Sequence, residues 1–137
     1  MILSVSDVAF AYNGRPILRE VDFSLEEGEL LAILGPNGVG KTTLLKCING
    51  IHRPATGAVM VEDRDVLKLK SHEIALGSGY VAQKNESARL SVFDAVLMGR
   101  KPHIRWKIAE HDLRVVDSAI RRLNLEGLTM RYLDQLS

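Results

Sequence analysis

Gly35-Pro36-Asn37-Gly38-Val39-Gly40-Lys41-Thr42-Thr43 gathers glycines, one lysine and two hydroxyls in a single short run. It satisfies the pattern G-x-x-x-x-G-K-[ST] at each fixed position. The chemistry this suits is the binding of a polyphosphate. A nucleotide triphosphate crowds negative oxygens into a small volume. Glycines let backbone N–H groups turn inward and approach those oxygens without a Cβ in the way. A helix that follows adds unpaired N–H groups and the positive end of its dipole. The backbone and side chains of Asn37, Gly38, Val39, Gly40, Lys41, Thr42 and Thr43 are therefore the candidate nucleotide contacts. Lys41 is expected to set its ammonium between the β- and γ-phosphates. The Thr42 hydroxyl suits Mg²⁺, a hard cation that prefers oxygen.

Such a loop works only between a strand and a helix. Leu30-Leu31-Ala32-Ile33-Leu34 is a continuous apolar run, which predicts a strand over Glu29–Leu34 buried on both faces. Thr43–Asn49 reads as the helix, with Gly50 free to take positive φ at its end. Upstream, Leu3–Phe10 and Val21–Leu25 read as half-buried strands joined through the turn Asn13-Gly14, with Val21, Phe23 and Leu25 on one face. Downstream, Thr56-Gly57 predicts a turn and Val59 and Val61 a short strand. Ser71 is placed to cap a helix through Leu76, and Gly79-Tyr80-Val81-Ala82 predicts a strand ending at Gln83.

Beyond Gln83 the pattern turns helical. Ser91 with Asp94 resembles a capping box ahead of Phe93, Val96 and Leu97, with Gly99 as a stop. A longer helix is predicted from about Ile108 to Asn124. Leu113, Val116, Ile120 and Leu123 form its apolar stripe, and Glu110–Arg114 and Asp117–Arg121 are ion pairs on its wet side. Val115-Val116-Asp117 belongs to this helix rather than to a strand ending in an acid. Val59-Met60-Val61-Glu62-Asp63 follows the Thr-Gly turn as a short strand that ends in two acids.

The chain has 137 residues, 46% of them apolar and 26% charged, with a net charge of +1. That is ordinary for one soluble globular domain, and no global field favours nucleic acid. No apolar run approaches the roughly 18–20 residues that span a bilayer, and the start lacks a signal-peptide pattern. The single Cys47 excludes an internal disulfide and is expected in the core. His52, His72, His103 and His111 lack metal-ligand spacing and are expected at the surface or as caps. A cytoplasmic protein is expected.

Tyr12 before the glycine loop, the loop itself, and Gln83 some forty residues after Lys41 ahead of a helical block form an ordered set. With the closing Tyr132-Leu133-Asp134-Gln135-Leu136-Ser137, this order resembles the ATP-binding subunits of ABC transporters over the whole chain. The tail is similar to the approach to that family's Leu-Ser-Gly-Gly-Gln signature. Tyr80-Val81-Ala82-Gln83 followed by Val92–Arg100 and Pro102-His103 is most similar to importers of iron–siderophore, haem or cobalamin. Ala82 stands where that family often has proline.

The resemblance implies an α/β fold: a P-loop NTPase core with an antiparallel β subdomain and a helical subdomain. Residues 1–83 would hold the β subdomain and P-loop core, and 84–137 the glutamine loop and helical subdomain. The core would be incomplete, so the chain alone is expected to be marginally stable, aggregation-prone or dependent on a partner. Tyr12 would stack on adenine, and Gln83 would reach Mg²⁺ and the attacking water, making Lys41 and Gln83 the catalytic candidates. The implied cofactors are ATP and Mg²⁺. The implied partners are an integral-membrane permease and a second ATP-binding subunit, on the inner face of the cell membrane. The family's Asp-Glu strand, the rest of its signature and a switch histidine would lie beyond Ser137; Val59–Asp63 is similar to the family's antiparallel edge strand, with Asp63 at a turn, rather than to that magnesium-facing strand. Two rival functions are a nucleotide-binding module without hydrolysis and a small phosphotransferase. The second usually begins at its glycine loop, whereas two predicted strands and Tyr12 precede the loop here.

Overall fold

A computed structural model describes residues 1–83 and 89–136. The chain divides into two compact units, Met1–Tyr80 and Val81–Ser137.

In the first unit, β1 (Leu3–Tyr12) and β2 (Arg15–Leu25) form an antiparallel hairpin. Asn13 and Gly14 make its turn with φ of 47° and 79°, a type I′ geometry that matches strand twist. The Val21, Phe23 and Leu25 side chains are half-buried while Asp22 and Ser24 are exposed, as their alternation requires. After the glycine loop comes α1 (Lys41–Ile48), then β3 (Thr56–Val61), β4 (Arg64–Asp65) and α2 (Ser71–Gly77). The sheet order is β2-β1-β3-β4, and each neighbouring pair is antiparallel. The core is Val5, Val8 and Leu18 from the hairpin, Leu44, Cys47 and Ile48 from α1, Val59 from β3, and Val66. Cys47 is fully enclosed, and burial pushes its thiol pKa up, so it stays protonated and inert.

Several sequence expectations fail over residues 29–83. Residues 29–34 form no strand. Ile33 packs against the core, but Leu30 and Leu34 are 93% and 89% exposed. A parallel strand exists only by hydrogen-bonding to neighbours, and among the described residues no strand pairs with this segment. Gly79–Ala82 likewise forms no strand, for the same reason. Thr56-Gly57 lies inside β3 rather than in a turn, because Gly57 (φ 86°) fits against a bulge in β1. At that bulge Asp7 takes φ 50°, with its N–H on the Asp22 carboxylate. The Val59–Asp63 segment is antiparallel to β1 and β4, with Glu62 and Asp63 in the β3–β4 turn. It is an inner strand; the short β4 takes the edge.

In the second unit, α3 (Val92–Met98) begins at Ser91, whose Oγ accepts from the Asp94 N–H at 3.1 Å. The longer α4 (Glu110–Arg122) packs on α3, and Val92 of α3 and Val116 and Ile120 of α4 are buried. The ion pairs Glu110–Arg114 and Asp117–Arg121 form at 2.9 and 3.0 Å. The apolar stripe is narrower than expected: Leu113 is partly exposed and Leu123 is 64% exposed. Asp112 takes a buried place beside the stripe instead. Its Oδ2 accepts from the Ala109 N–H at 3.0 Å, and its Oδ1 accepts from Arg100 Nε and Nη2 at 3.1 and 2.9 Å.

The Ala109 N–H and then the Arg100 guanidinium hold the Asp112 carboxyl below its ordinary pKa of 3.8. A depressed carboxylate pKa gives stability that is full above the unfolded value and is lost as pH falls through the folded one. Asp112→Asn is therefore expected to melt earlier than wild type at pH 7, with a smaller gap at a pH below the ordinary carboxyl value of 3.8. Thermal unfolding followed by circular dichroism at the two pH values checks this. A gap that stayed the same would remove the carboxylate from the account.

Candidate functional site

The glycine loop is fixed from below by β2. Gly40 has φ 108°, and a methyl on it would sit 2.9 Å from Ile17 Cγ2 and 3.1 Å from Leu18 Cδ2. Only glycine allows both that backbone turn and that close approach. Gly38 also has positive φ, 81°, but faces open space, so there only conformation asks for glycine. Val39 and Asn37 are exposed at the crest of the loop.

Gly40 is also the N-cap of α1, and it has no side chain to offer the first turn. No acidic residue lies in that turn. The opening N–H groups of α1 thus meet no side-chain cap, and the positive end of the helix faces the loop. Thr43, Leu44, Cys47 and Ile48 bury the inner face of α1, while Thr42 stays exposed. The helix body is anchored and its amino end is open. Lys41 folds back across the loop, and its Nζ donates to the carbonyls of Gly35 and Pro36 at 2.7 Å each.

This donor set fits a polyphosphate. It holds an ammonium, uncapped amides and a hydroxyl, with no carboxylate in the opening turn to repel an anion. It also fits Mg²⁺ arriving with the phosphate. Thr42 would supply one oxygen, and the metal would add positive charge beside the phosphates.

Tyr12 ends β1 opposite Arg15, two residues before the Ile17 that touches Gly40. It is 44% exposed, and its hydroxyl is 2.8 Å from His52 Nε2. His52 is half-buried, its ring stacked on Phe10 at 5.2 Å. The expectation of a surface or capping histidine is corrected here, since His52 packs into an aromatic cluster. Nothing in sequence spacing signals a partner forty positions away. The structure thus brings Tyr12 and residues 37–43 into one unit. Gln83 belongs to the other and is exposed at a bend. Ser137, the last residue of the signature-like tail, lies outside the described residues, as do residues 84–88.

Comparison with known proteins gives one consistent result. The family described as ABC transporter matches residues 18–137. An uncharacterized ABC transporter ATP-binding protein of Methanocaldococcus jannaschii is 46% identical over all of this chain and 54% of its own length. A Helicobacter pylori protein named "Probable iron chelatin transport ATP-binding protein" is 36% identical over all of this chain and 55% of its own. Among solved structures, cbiO1 of Clostridium perfringens, described as part of the ABC transporter complex cbiONQ, superposes with a TM-score of 0.78 at 30% identity. That match covers 99% of this chain and 55% of cbiO1. The chain spans about half the length of these relatives. The loop, the antiparallel hairpin that braces it and the helical second unit are accordingly those of an α/β P-loop fold, and the chain belongs to the ABC transporter family, matching its ATP-binding domain throughout.

Proposed function

We propose that this chain binds Mg-ATP through residues 37–43 and forms part of a subunit that energises an ABC importer of an iron chelate or similar solute. The observation that carries the nucleotide reading is the uncapped start of α1 with Lys41 folded over the same loop. Lys41 would exchange two carbonyls for phosphate oxygens without moving far. Thr42 would join the metal, and Tyr12 would lie against the base. The named iron-chelatin relative supports the choice of solute. The whole protein would work at the cytoplasmic membrane face, with a permease and a second ATP-binding subunit. Residues 1–83 would hold nucleotide and end at Gln83, and 84–137 would carry the rest of the glutamine loop and the helical subdomain that faces those partners. Gln83 would sense nucleotide and water, because a carboxamide both accepts and donates.

For the chain by itself the reading is binding without turnover. Glu62 and Asp63, the acids that end its β3 segment, lie in a hairpin turn of the antiparallel sheet. The chain is expected to bind Mg-ATP in calorimetry and to release phosphate no faster than buffer. Absence of Mg-ATP binding would overturn the nucleotide reading. Steady phosphate release that Lys41→Ala abolishes would overturn the claim of binding alone.

A further inference from the structure

His52 stands apart from the phosphate loop in sequence, yet both its backbone and its ring are committed to the loop's surroundings. Its N–H donates to the Lys46 carbonyl at 3.1 Å, beside the Ile51 N–H on the same carbonyl at 2.9 Å. That fixes His52 to α1, about 7–8 Å along the helix from Lys41 at 1.5 Å per residue. Its ring lies nearly parallel to Phe10, 18° between planes, and nearly perpendicular to Tyr12, at 89°. Phe10 and Tyr12 are themselves edge-to-face at 4.8 Å. Tyr12 is thus braced on two rings of one cluster, and its hydroxyl is tethered to Nε2.

We infer that His52 is a positioning residue for nucleotide binding: it ties the Tyr12 ring to α1, so that the base platform and the phosphate-binding helix end keep a fixed spacing. The inference rests on the nucleotide reading above. A tyrosine at a strand end, nearly half exposed, otherwise samples several rotamers. Holding it in one removes an ordering cost that each stacked base would have to meet. The hydrogen bond works with either proton arrangement, because a phenol and an imidazole can each donate or accept. The base is recognised by its face, so the tether affects a ligand that has a base and leaves a bare phosphate chain alone.

The test compares Mg-ATP with inorganic tripolyphosphate plus Mg²⁺ by calorimetry. His52→Ala is expected to weaken Mg-ATP about three- to tenfold, the cost of ordering one freed side chain, and to leave tripolyphosphate unchanged. His52→Gln, whose carboxamide can still meet the phenol, should regain most of the loss. Tyr12→Phe, which keeps the ring and removes the hydroxyl, should lose as much as His52→Ala, and the double variant no more than either. If His52→Ala weakens both ligands equally, or if the two single losses add, His52 is merely a packing residue. If His52→Ala fails to fold, the Tyr12→Phe comparison decides: equal affinity to wild type overturns the inference. Wild-type chain that bound neither ligand would overturn the nucleotide reading itself, and the inference with it. Wild type that binds both while His52→Ala matches it overturns the inference alone.

Discussion

Lys41→Ala is expected to lower Mg-ATP affinity about a hundredfold while leaving the melting temperature of the chain nearly unchanged. The ammonium now donates to the Gly35 and Pro36 carbonyls, and a bound polyphosphate would replace them with anionic oxygens. Charge-assisted bonds of this kind contribute about 1.5–3 kcal/mol each, so losing one or two amounts to about 3 kcal/mol. That corresponds to two decades of affinity. The two existing bonds lie at the exposed loop, where water can satisfy the carbonyls once the side chain is gone, so stability falls by less than about 1 kcal/mol. Calorimetric titration with Mg-ATP, beside a thermal melt on the same sample, separates the two effects. Unchanged affinity would remove Lys41 from the site. A large drop in melting temperature would recast it as a clamp that holds the loop together.

Local chemistry was legible in the sequence where a residue and its partner lie within a few positions. Asn13-Gly14 announces a type I′ turn, because few residues accept positive φ twice running, and the turn forms. Ser91 and Asp94 announce a helix start, and both the hydroxyl and the carboxylate engage. The pairs on α4 follow from spacing alone. Long-range pairing was not legible. The apolar run at 30–34 states that these residues favour burial, but not that a neighbouring strand is there to bury them, and Leu30 stays in water. The stripe on α4 gave the right phase but the wrong width: Arg100, twelve residues away, lets Asp112 take a buried place, while Leu113 remains partly and Leu123 largely exposed. At the phosphate loop, the glycines and Lys41 were legible because their spacing is local. The contact of Gly40 with β2 and the tether from Tyr12 to His52 depend on how distant strands and turns meet.

Gly57→Ala is expected to lower the stability of the first unit by about 3–5 kcal/mol, enough to unfold much of a marginal domain. Two costs combine. The φ of 86° lies in the left-handed region, where an alanine costs about 1–2 kcal/mol. The added methyl would also meet the Asp7 carbonyl oxygen at 2.3 Å and the Ser6 carbonyl oxygen at 2.5 Å. Those atoms are backbone of the β1 bulge, so they cannot swing aside as a side-chain tip would. Relief requires β3 to lift from β1, which breaks the pairing from Ser6↔Ala58 to Ala9↔Thr56 and loosens Val59 in the core. The Thr56 hydroxyl, which donates to the same Asp7 carbonyl at 3.3 Å, would lose its acceptor as well. Gly77→Ala is the matched control. Gly77 ends α2 without positive φ, and a methyl there meets nothing within 4 Å. It is expected to raise stability by about 0.5–1 kcal/mol, by restricting the unfolded chain. Urea titrations followed by circular dichroism compare the midpoints. Equal midpoints for wild type and Gly57→Ala would mean that β3 does not lie against the β1 bulge. A destabilised Gly77→Ala would place the weak point in α2 instead.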